Sequence, residues 1–67
     1  MTTKISLKAA RVNAGYTLED AAKEIGIHKT TLFNWEQRPW IVSALYMDKI
    51  SKVYHLSIND INFLPKN

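Results

Sequence analysis

Apolar positions at helical spacing open the chain and stop at a glycine. The apolar face of a helix predicted over residues 6–14 consists of Leu7, Ala10 and Ala14. Side chains three and four residues apart lie on the same side of a helix. Gly15 follows, and glycine commonly supplies the left-handed conformation in which a helix ends. The pattern predicts a short amphipathic first helix.

Two further helices are predicted on either side of a second glycine. Thr17 is a candidate N-cap, and Asp20 three residues later gives a shorter version of the capping box. These residues predict a second helix over residues 18–25, which Gly26 ends. A third helix is predicted over residues 28–37.

The third helix divides into two faces on a helical wheel, on which successive residues advance by about 100°. The face expected to pack carries Thr31, Leu32 and Trp35. The opposite face carries Lys29, Thr30, Phe33, Asn34 and Gln37. One side of this helix is therefore expected to join the core, and the other presents hydrogen-bonding groups and one aromatic ring.

The rest of the chain predicts one long helix and one short helix. Pro39 is followed by an apolar loop over residues 40–42, and Ser43 is a candidate cap for a fourth helix that reaches about Tyr54. The residues of that helix expected to face the core are Ala44, Met47, Ile50, Ser51 and Tyr54. Ser57 and Asp60 repeat the capping-box pattern and predict a short fifth helix, which Pro65 ends at the latest. Because no segment alternates like a strand, the predicted fold is a compact all-α bundle of four to five short helices.

Composition narrows the class of protein. Sixty-seven residues make one small domain, here taken as residues 1–67, with a net charge of +3. The absence of cysteine excludes disulfides and thiolate metal sites. His28 and His55 lie far apart, so neither is expected to bind a metal. We expect no cofactor, no small-molecule substrate, no membrane span and no signal peptide, and therefore a cytoplasmic location.

The spacing of the second and third helices predicts a helix-turn-helix. Two helices joined by a turn of three or four residues cross at a steep angle, and Ala22 is small enough for a close crossing. Gly26 supplies the positive backbone angle of the turn. The buried contacts between the two helices would be Ala21, Ile27, Leu32 and Trp35. One helix fits the major groove of B-DNA, so binding to double-stranded DNA is the leading hypothesis.

A family pattern supports this interpretation. It is carried by Arg11, Gly15, Thr17, Ala22, Gly26, Ile27, Leu32 and Glu36, and by the run Leu56-Ser57-Ile58-Asn59-Asp60-Ile61. On these residues the chain resembles the Cro and lambda-repressor-like (XRE-type) helix-turn-helix family, without gaps over residues 7–64. The resemblance implies a lambda-repressor-like fold. It also implies that Arg11 and Glu36 form a structural salt bridge between the first and third helices.

The chain departs from the family pattern at three single positions and in one short run. Leu18 stands where many members carry a glutamine that contacts DNA at the start of the second helix. His28 occupies the cap of the third helix, where serine or threonine is common. Trp35 is larger than the usual aliphatic residue, and the run 38–40 replaces a turn that contains glycine.

The base-reading positions that the resemblance implies largely coincide with the outward face of the helical wheel, and for His28 a helix cap or a phosphate contact is favoured over reading a base. The candidates for base contact are His28, Lys29, Thr30, Phe33 and Asn34. Lysine can bind guanine O6 and N7, and asparagine matches adenine N6 and N7. Phe33 would either contact a thymine methyl group or fold back onto the core. The candidates for phosphate contact are Thr17, Gln37, Arg38 and the backbone amide of Leu18, because helix N-termini attract anions.

Two apolar regions are candidates for protein contacts. Similar proteins dimerise through the C-terminal end, where the candidate interface residues are Leu56, Ile58, Phe63 and Leu64. Packing within the core is the alternative for these side chains. The loop over residues 40–42 would either bind a partner or close over the core.

The leading functional hypothesis is a small transcriptional regulator, similar to a Cro-like phage or prophage repressor. It would bind a roughly palindromic operator as a homodimer, formed in solution or only on DNA, and would block promoter access on the nucleoid of a bacterial host. Alternatives are an antitoxin, a plasmid-control protein or the DNA-binding domain of a longer repressor. A different class is a protein-interaction module that has lost DNA binding. An enzyme is not expected, since the chain has no glycine-rich phosphate loop and no nucleophile pattern.

Overall fold

The computed structural model describes residues 4–65 and contains four α-helices in this part of the chain. The regular elements are β1 (Ile5–Ser6), α1 (Leu7–Asn13), α2 (Leu18–Ile25), α3 (Lys29–Gln37), α4 (Ala44–Tyr54) and β2 (Ile61–Asn62). Two single 3₁₀ turns, Pro39–Ile41 and Ile58–Asp60, complete the described chain. The predicted all-α fold class is confirmed, with the lower of the two helix numbers.

Polar side chains and glycines set the ends of the first two helices. The hydroxyl of Ser6 accepts a hydrogen bond from the amide of Ala9 at 3.0 Å, and that of Thr17 accepts one from the amide of Asp20 at 3.1 Å. Gly15 and Gly26, at φ 85° and 88°, adopt the left-handed conformation that other residues reach only with strain. The glycine signals therefore ended both helices where the sequence predicted.

One core holds the four helices together. Its buried members are Leu7, Ala10, Ala21, Ala22, Ile25, Leu32, Val42, Ile50, Tyr54, Ile61 and Phe63. α2 packs against both α3 and α4, and α1 packs against α3 and α4. Ala22 is fully buried, as a close helix crossing requires. The helix-turn-helix pair is thus supported from behind by α1 and α4.

The prediction that the chain has no strand is wrong, because two very short segments pair in parallel. Ile5 lies opposite Ile61, and Ser6 lies opposite Asn62. Strands of two residues are too short to show alternation in a sequence. The two segments pair because the core holds them close together, with Ile61 of β2 buried in it.

The predicted fifth helix is also wrong in form. After Ser57 the chain makes one 3₁₀ turn, Ile58–Asp60, and then extends into β2. The hydroxyl of Ser57 accepts a hydrogen bond from the amide of Asn59 at 3.2 Å, so the cap signal is used. The turn does not continue as a helix because Ile61 is drawn into the pairing with Ile5.

Two details at the start of α4 differ from prediction. Ser43 occupies the N-cap position, but its side chain makes no capping hydrogen bond. Ala44 is exposed, as is Leu45, because α4 first contacts the core at Tyr46 and Met47. The apolar loop before it forms the 3₁₀ turn, from which Val42 enters the core.

Within residues 4–65, none of the helices is both long enough and apolar enough to cross a membrane. The same residues contain no cluster of three or more acidic or histidine side chains with metal-binding geometry.

Candidate nucleic-acid interface

α3 presents two different faces, as the helical wheel predicted. Leu32 is fully buried, and Thr31 and Trp35 are partly buried against the core. The ring of Trp35 packs against Tyr46 of α4, with the ring centroids 5.2 Å apart. The exposed residues, called here the outer face of α3, are Lys29, Thr30, Phe33, Asn34 and Gln37.

The outer face of α3 carries a cation and hydrogen-bonding groups but no acid. The only acidic residue of this helix is Glu36, whose side chain is 4% exposed and points inward. Its Oε2 accepts a hydrogen bond from Nε of Arg11 at 2.6 Å. Arg11 therefore neutralises the one charge on α3 that would repel a polyanion.

Arg11 also ties the first two helices to α3. Besides Glu36, its Nη1 donates a hydrogen bond to the carbonyl oxygen of Tyr16 at 3.0 Å. Tyr16 lies between α1 and α2, so one guanidinium group connects three segments of the chain. The ion pair that the resemblance implied is present, and it links α1 to α3.

The start of α3 is held less firmly by its own cap. His28 is the N-cap residue, and its side chain makes no capping hydrogen bond. It is exposed, as are Lys29 and Thr30 that follow it. These three side chains are therefore available at the tip of α3.

Phe33 lies in the middle of the outer face with half of its surface exposed (51%). A phenylalanine ring of this exposure has not folded back onto the core. Asn34 lies beside it in sequence and is exposed as well. An aromatic ring and an amide thus stand next to each other on one exposed surface.

Four groups, at the start of α2 and at the end of α3, are the candidates for phosphate contact. Thr17 is exposed at the start of α2, and Leu18 is half-buried with its side chain against the core. The first hydrogen bond inside α2 runs from the amide of Ala21 to the carbonyl of Thr17, so the amide of Leu18 precedes the helical bonding. At the other end, Gln37 and Arg38 are both exposed.

The C-terminal candidates for a dimer interface do not all lie on the surface. Leu64 is 65% exposed and Ile58 is 37% exposed, whereas Leu56 is half-buried. Phe63 is only 7% exposed and belongs to the core. The expected place of Phe63 in a dimer interface is therefore corrected. Its ring offers almost no surface to a second molecule, because the chain after β2 turns it inward.

Three features were missed by reasoning from the sequence. Trp40 and Leu64 line one groove between the 3₁₀ turn after α3 and the C-terminal end, although they are far apart in sequence. Lys49 of α4 reaches the turn at Gly26. Only the fold brings these groups together, and no local pattern indicates them.

Tyr54 is the third missed feature. Its hydroxyl is buried without a hydrogen-bond partner among the described residues, and its ring lies 6.0 Å from that of Tyr16. Burial raises the pKa of Tyr54 well above its ordinary value of 10.0, and the nearby carboxylate of Glu36 raises it further. Tyr54 therefore stays neutral in the folded protein.

A protein-family model described as Helix-turn-helix matches residues 7–61. The match spans all four helices, and the chain belongs to this helix-turn-helix family, of the Cro and lambda-repressor type. It is a family of DNA-binding domains of transcriptional regulators and not a family of enzymes. No curated protein and no solved structure gave a significant match.

Proposed function

We propose that this protein is a sequence-specific repressor that reads the major groove with α3 and blocks a promoter as a Cro-like dimer. The observation that carries the proposal is the outer face of α3, which combines Lys29, Asn34 and Phe33 with no acidic group. The one acid of the helix, Glu36, is buried and paired. A helix with this face suits the negatively charged and hydrogen-bonding surface of DNA.

Base contacts are assigned to the N-cap of α3 and to exposed residues of the helix as far as Asn34. Lys29 would bind guanine O6 and N7, and Asn34 would bind adenine N6 and N7. Phe33 would pack on a thymine methyl group, which its exposure favours. His28 and Thr30 would contact the flanking base or the phosphate beside it.

Phosphate contacts are assigned to the two ends of the helix-turn-helix. The amide of Leu18 and the hydroxyl of Thr17 would donate to one phosphate, because the N-terminus of α2 carries partial positive charge. The first turn of α2 also carries the carboxylates of Glu19 and Asp20, so only the neutral Leu18 amide and Thr17 hydroxyl are assigned to this phosphate. Gln37 and Arg38 would bind the backbone at the other end of α3. Such contacts fix the register on DNA without reading its sequence.

Self-association is assigned to the exposed C-terminal residues. Leu64 and Ile58 are exposed, Leu56 is partly accessible, and Trp40 borders the same groove as Leu64. A stable dimer buries roughly 600 Å² or more on each partner, which is about an eighth of the 4742 Å² surface described here. Because only a few exposed apolar side chains are available here, we infer a dimer that assembles on DNA rather than one that persists in solution.

The mechanism that we propose follows from the length of DNA that a dimer would cover. Two copies related by a two-fold axis would place two α3 helices in successive major grooves of a roughly palindromic operator, one helical turn apart. A protein lying across a promoter in this way excludes other proteins from it. We infer a Cro-like role in phage or prophage regulation, and a location on the DNA of a bacterial host.

A second candidate is a protein-interaction module. The observation that favours it is the 3₁₀ turn Pro39–Ile41, on which Trp40 and Ile41 are about half exposed. In that case the outer face of α3 would have no role. Replacing both Lys29 and Asn34 by alanine distinguishes the two functions, because it would abolish DNA binding and leave binding to a protein partner unchanged.

The experiment that tests the proposal is selection of bound duplexes from a pool of random DNA at near-physiological salt, followed by sequencing. The expected result is a two-fold symmetric motif with half-sites about one helical turn apart. An enriched motif without symmetry would remove the dimer but keep sequence reading. Retention of no DNA, or equal retention of every sequence, would refute the repressor function.

A further inference from the structure

Lys49 extends from α4 over the turn between α2 and α3. A Cβ atom built on Gly26 would lie 3.3 Å from Nζ of Lys49. In residues 4–65 this ammonium group has no ion pair, since the pairs are Arg11–Glu36 and Lys52–Asp48. Its position at the turn follows from the packing of α4 against α2.

The end of α2 offers partial negative charge at this point. The amide of Gly26 donates to the carbonyl oxygens of Ala22 and Lys23. In the described part of the chain, no backbone amide beyond the helix bonds to the carbonyls of Glu24 and Ile25. The last carbonyls of a helix carry the negative end of its dipole, so a cation there is stabilising.

The first turn of α3 depends on this preceding turn more than α1 and α2 depend on theirs. Ser6 and Thr17 each accept a capping hydrogen bond at the start of their helices. His28 makes no such bond at the start of α3. Without that cap, the groups packed around Gly26 are the nearest ones that can hold the start of α3.

We propose that Lys49 is a positioning residue for the outer face of α3. Its ammonium group stabilises the end of α2, holds the turn at Gly26, and so fixes the first turn of α3 relative to the rest of the domain. The consequence for sequence reading rests on the proposed function, whereas the bracing of the turn does not depend on DNA.

Lys52 provides a matched control on the same helix. Lys49→Met and Lys52→Met each remove one positive charge and keep an aliphatic side chain. Lys52 is exposed and pairs with Asp48 one turn away at 3.1 Å, rather than lying against Gly26. The two variants therefore have equal net charge and differ in the position of the missing ammonium group.

Amide hydrogen exchange of the free protein tests the brace. Lys49→Met should speed exchange at the hydrogen-bonded amides of Gly26, Ile27 and Leu32 by about two- to fivefold. Lys52→Met should leave them unchanged. The amide of Ile50, in the middle of α4, reports any global loss of stability, so a change shared by all amides would not count as local. Equal exchange at the turn in the two variants would overturn the proposal.

DNA binding tests the positioning role. At fixed salt both variants should lose the same affinity for unrelated duplexes, because each loses one charge. Only Lys49→Met should lower the ratio of specific to nonspecific affinity, by about two- to fivefold, and Lys49→Arg should restore it. An unchanged ratio with faster exchange at the turn would overturn the positioning role. If the unsubstituted protein binds no DNA, the proposed function fails, and the exchange comparison alone decides the brace.

Discussion

Arg11 and Glu36 form an ion pair between two buried side chains, in which each charge depends on the other. Their side chains are only 10% and 4% exposed, so each charge has lost most of its water. Burial of an ion pair is weakly stabilising at best, but removal of one partner leaves an uncompensated charge in the interior. This asymmetry makes the pair essential once it is present.

Arg11→Met should lower the free energy of unfolding by about 3 kcal/mol or more, because it strands the carboxylate of Glu36. The measurement is urea unfolding followed by circular dichroism. Asp48→Asn is the control, since it breaks the exposed pair with Lys52 and should cost less than about 0.5 kcal/mol. Similar losses in the two variants would contradict the structural role of Arg11.

Tyr54 should make the domain sensitive to alkaline pH. Its pKa is higher in the folded protein than the ordinary value of 10.0 because of burial. Above about pH 10 the unfolded chain releases this proton while the folded protein keeps it, so the free energy of unfolding falls as pH rises, by at most about 1.4 kcal/mol per pH unit. Below pH 10 both states are neutral and the residue adds no pH dependence.

Tyr54→Phe should remove this part of the alkaline loss. Because the hydroxyl has no hydrogen-bond partner within residues 4–65, the substitution should cost less than about 1 kcal/mol at pH 7. Unfolding free energies of both proteins at pH 7 and pH 11 are the measurement. Parallel decline of the two proteins between these pH values would mean that other groups cause it.

Asn34→Ala should weaken binding to the selected operator by about 1–3 kcal/mol and relax the preference at one base pair. Its stability should not change, since Asn34 is exposed. Asn13→Ala, an exposed asparagine on α1, is the matched control and should leave binding unchanged. Binding to a set of single-base operator variants measures both effects, and an unchanged preference at every base pair would exclude a base contact by Asn34.

Among the elements of the described chain, positive φ values occur just after the ends of helices, at Gly15, Gly26 and His55. α4 ends at His55, which adopts a left-handed conformation at φ 56°. The chain is secured there by hydrogen bonds between Ser51 and Leu56, made through both backbone and side chain. A residue with a Cβ atom pays a conformational cost in this region that glycine avoids.

His55→Gly should therefore raise the free energy of unfolding by up to about 1 kcal/mol. Gly15→Ala tests the same physics in the opposite direction. An added Cβ at Gly15 would meet no atom of the described chain within 4 Å, so the expected loss of about 1–2 kcal/mol comes from the backbone alone at φ 85°. Thermal and urea unfolding measure both. Loss of stability in His55→Gly, or none in Gly15→Ala, would contradict this account.

The sequence predicted the elements that depend on local signals. α2 begins after Thr17 and ends before Gly26, as expected. Both signals are local, because an N-cap and a left-handed glycine affect only the few residues next to them. β1, β2 and the single turn at Ile58–Asp60 could not be predicted, because tertiary contact with Ile5 overrides the local capping pattern. The position of Lys49 against Gly26 had no local signal either, since it depends on how α4 lies across α2.

More of the candidate DNA-binding site than of the β1–β2 pairing could be predicted from the sequence. The division of α3 into two faces follows from helical periodicity alone, and Leu32 lies on the buried side as the wheel requires. The Arg11–Glu36 pair followed only from the family resemblance. Whether Phe63 or Leu64 faced outward was not readable, because an extended chain end can place either side chain in the core.

For the whole molecule, the contrast between buried Phe63 and exposed Leu64 separates a residue needed for folding from a candidate for self-association. Leu64→Asp should weaken binding to a two-fold symmetric operator and leave stability and half-site binding unchanged, because Leu64 is exposed. Phe63→Ala should instead cost about 3–5 kcal/mol of stability as a buried aromatic residue. Titrations on full and half operators, with unfolding measured in parallel, test both. Equal loss by Leu64→Asp on full and half operators would remove Leu64 from the interface.

The pairing of β1 with β2 also decides how the domain would respond to mechanical force. The two strands are parallel, so the chain enters β1 at one end of the ladder and leaves β2 at the opposite end. A pull between residues 4 and 65 would therefore load the ladder in shear, with its few hydrogen bonds sharing the force. The helices and the face of α3 would feel no load until this ladder breaks, and its rate of rupture would set how long the domain survives under tension.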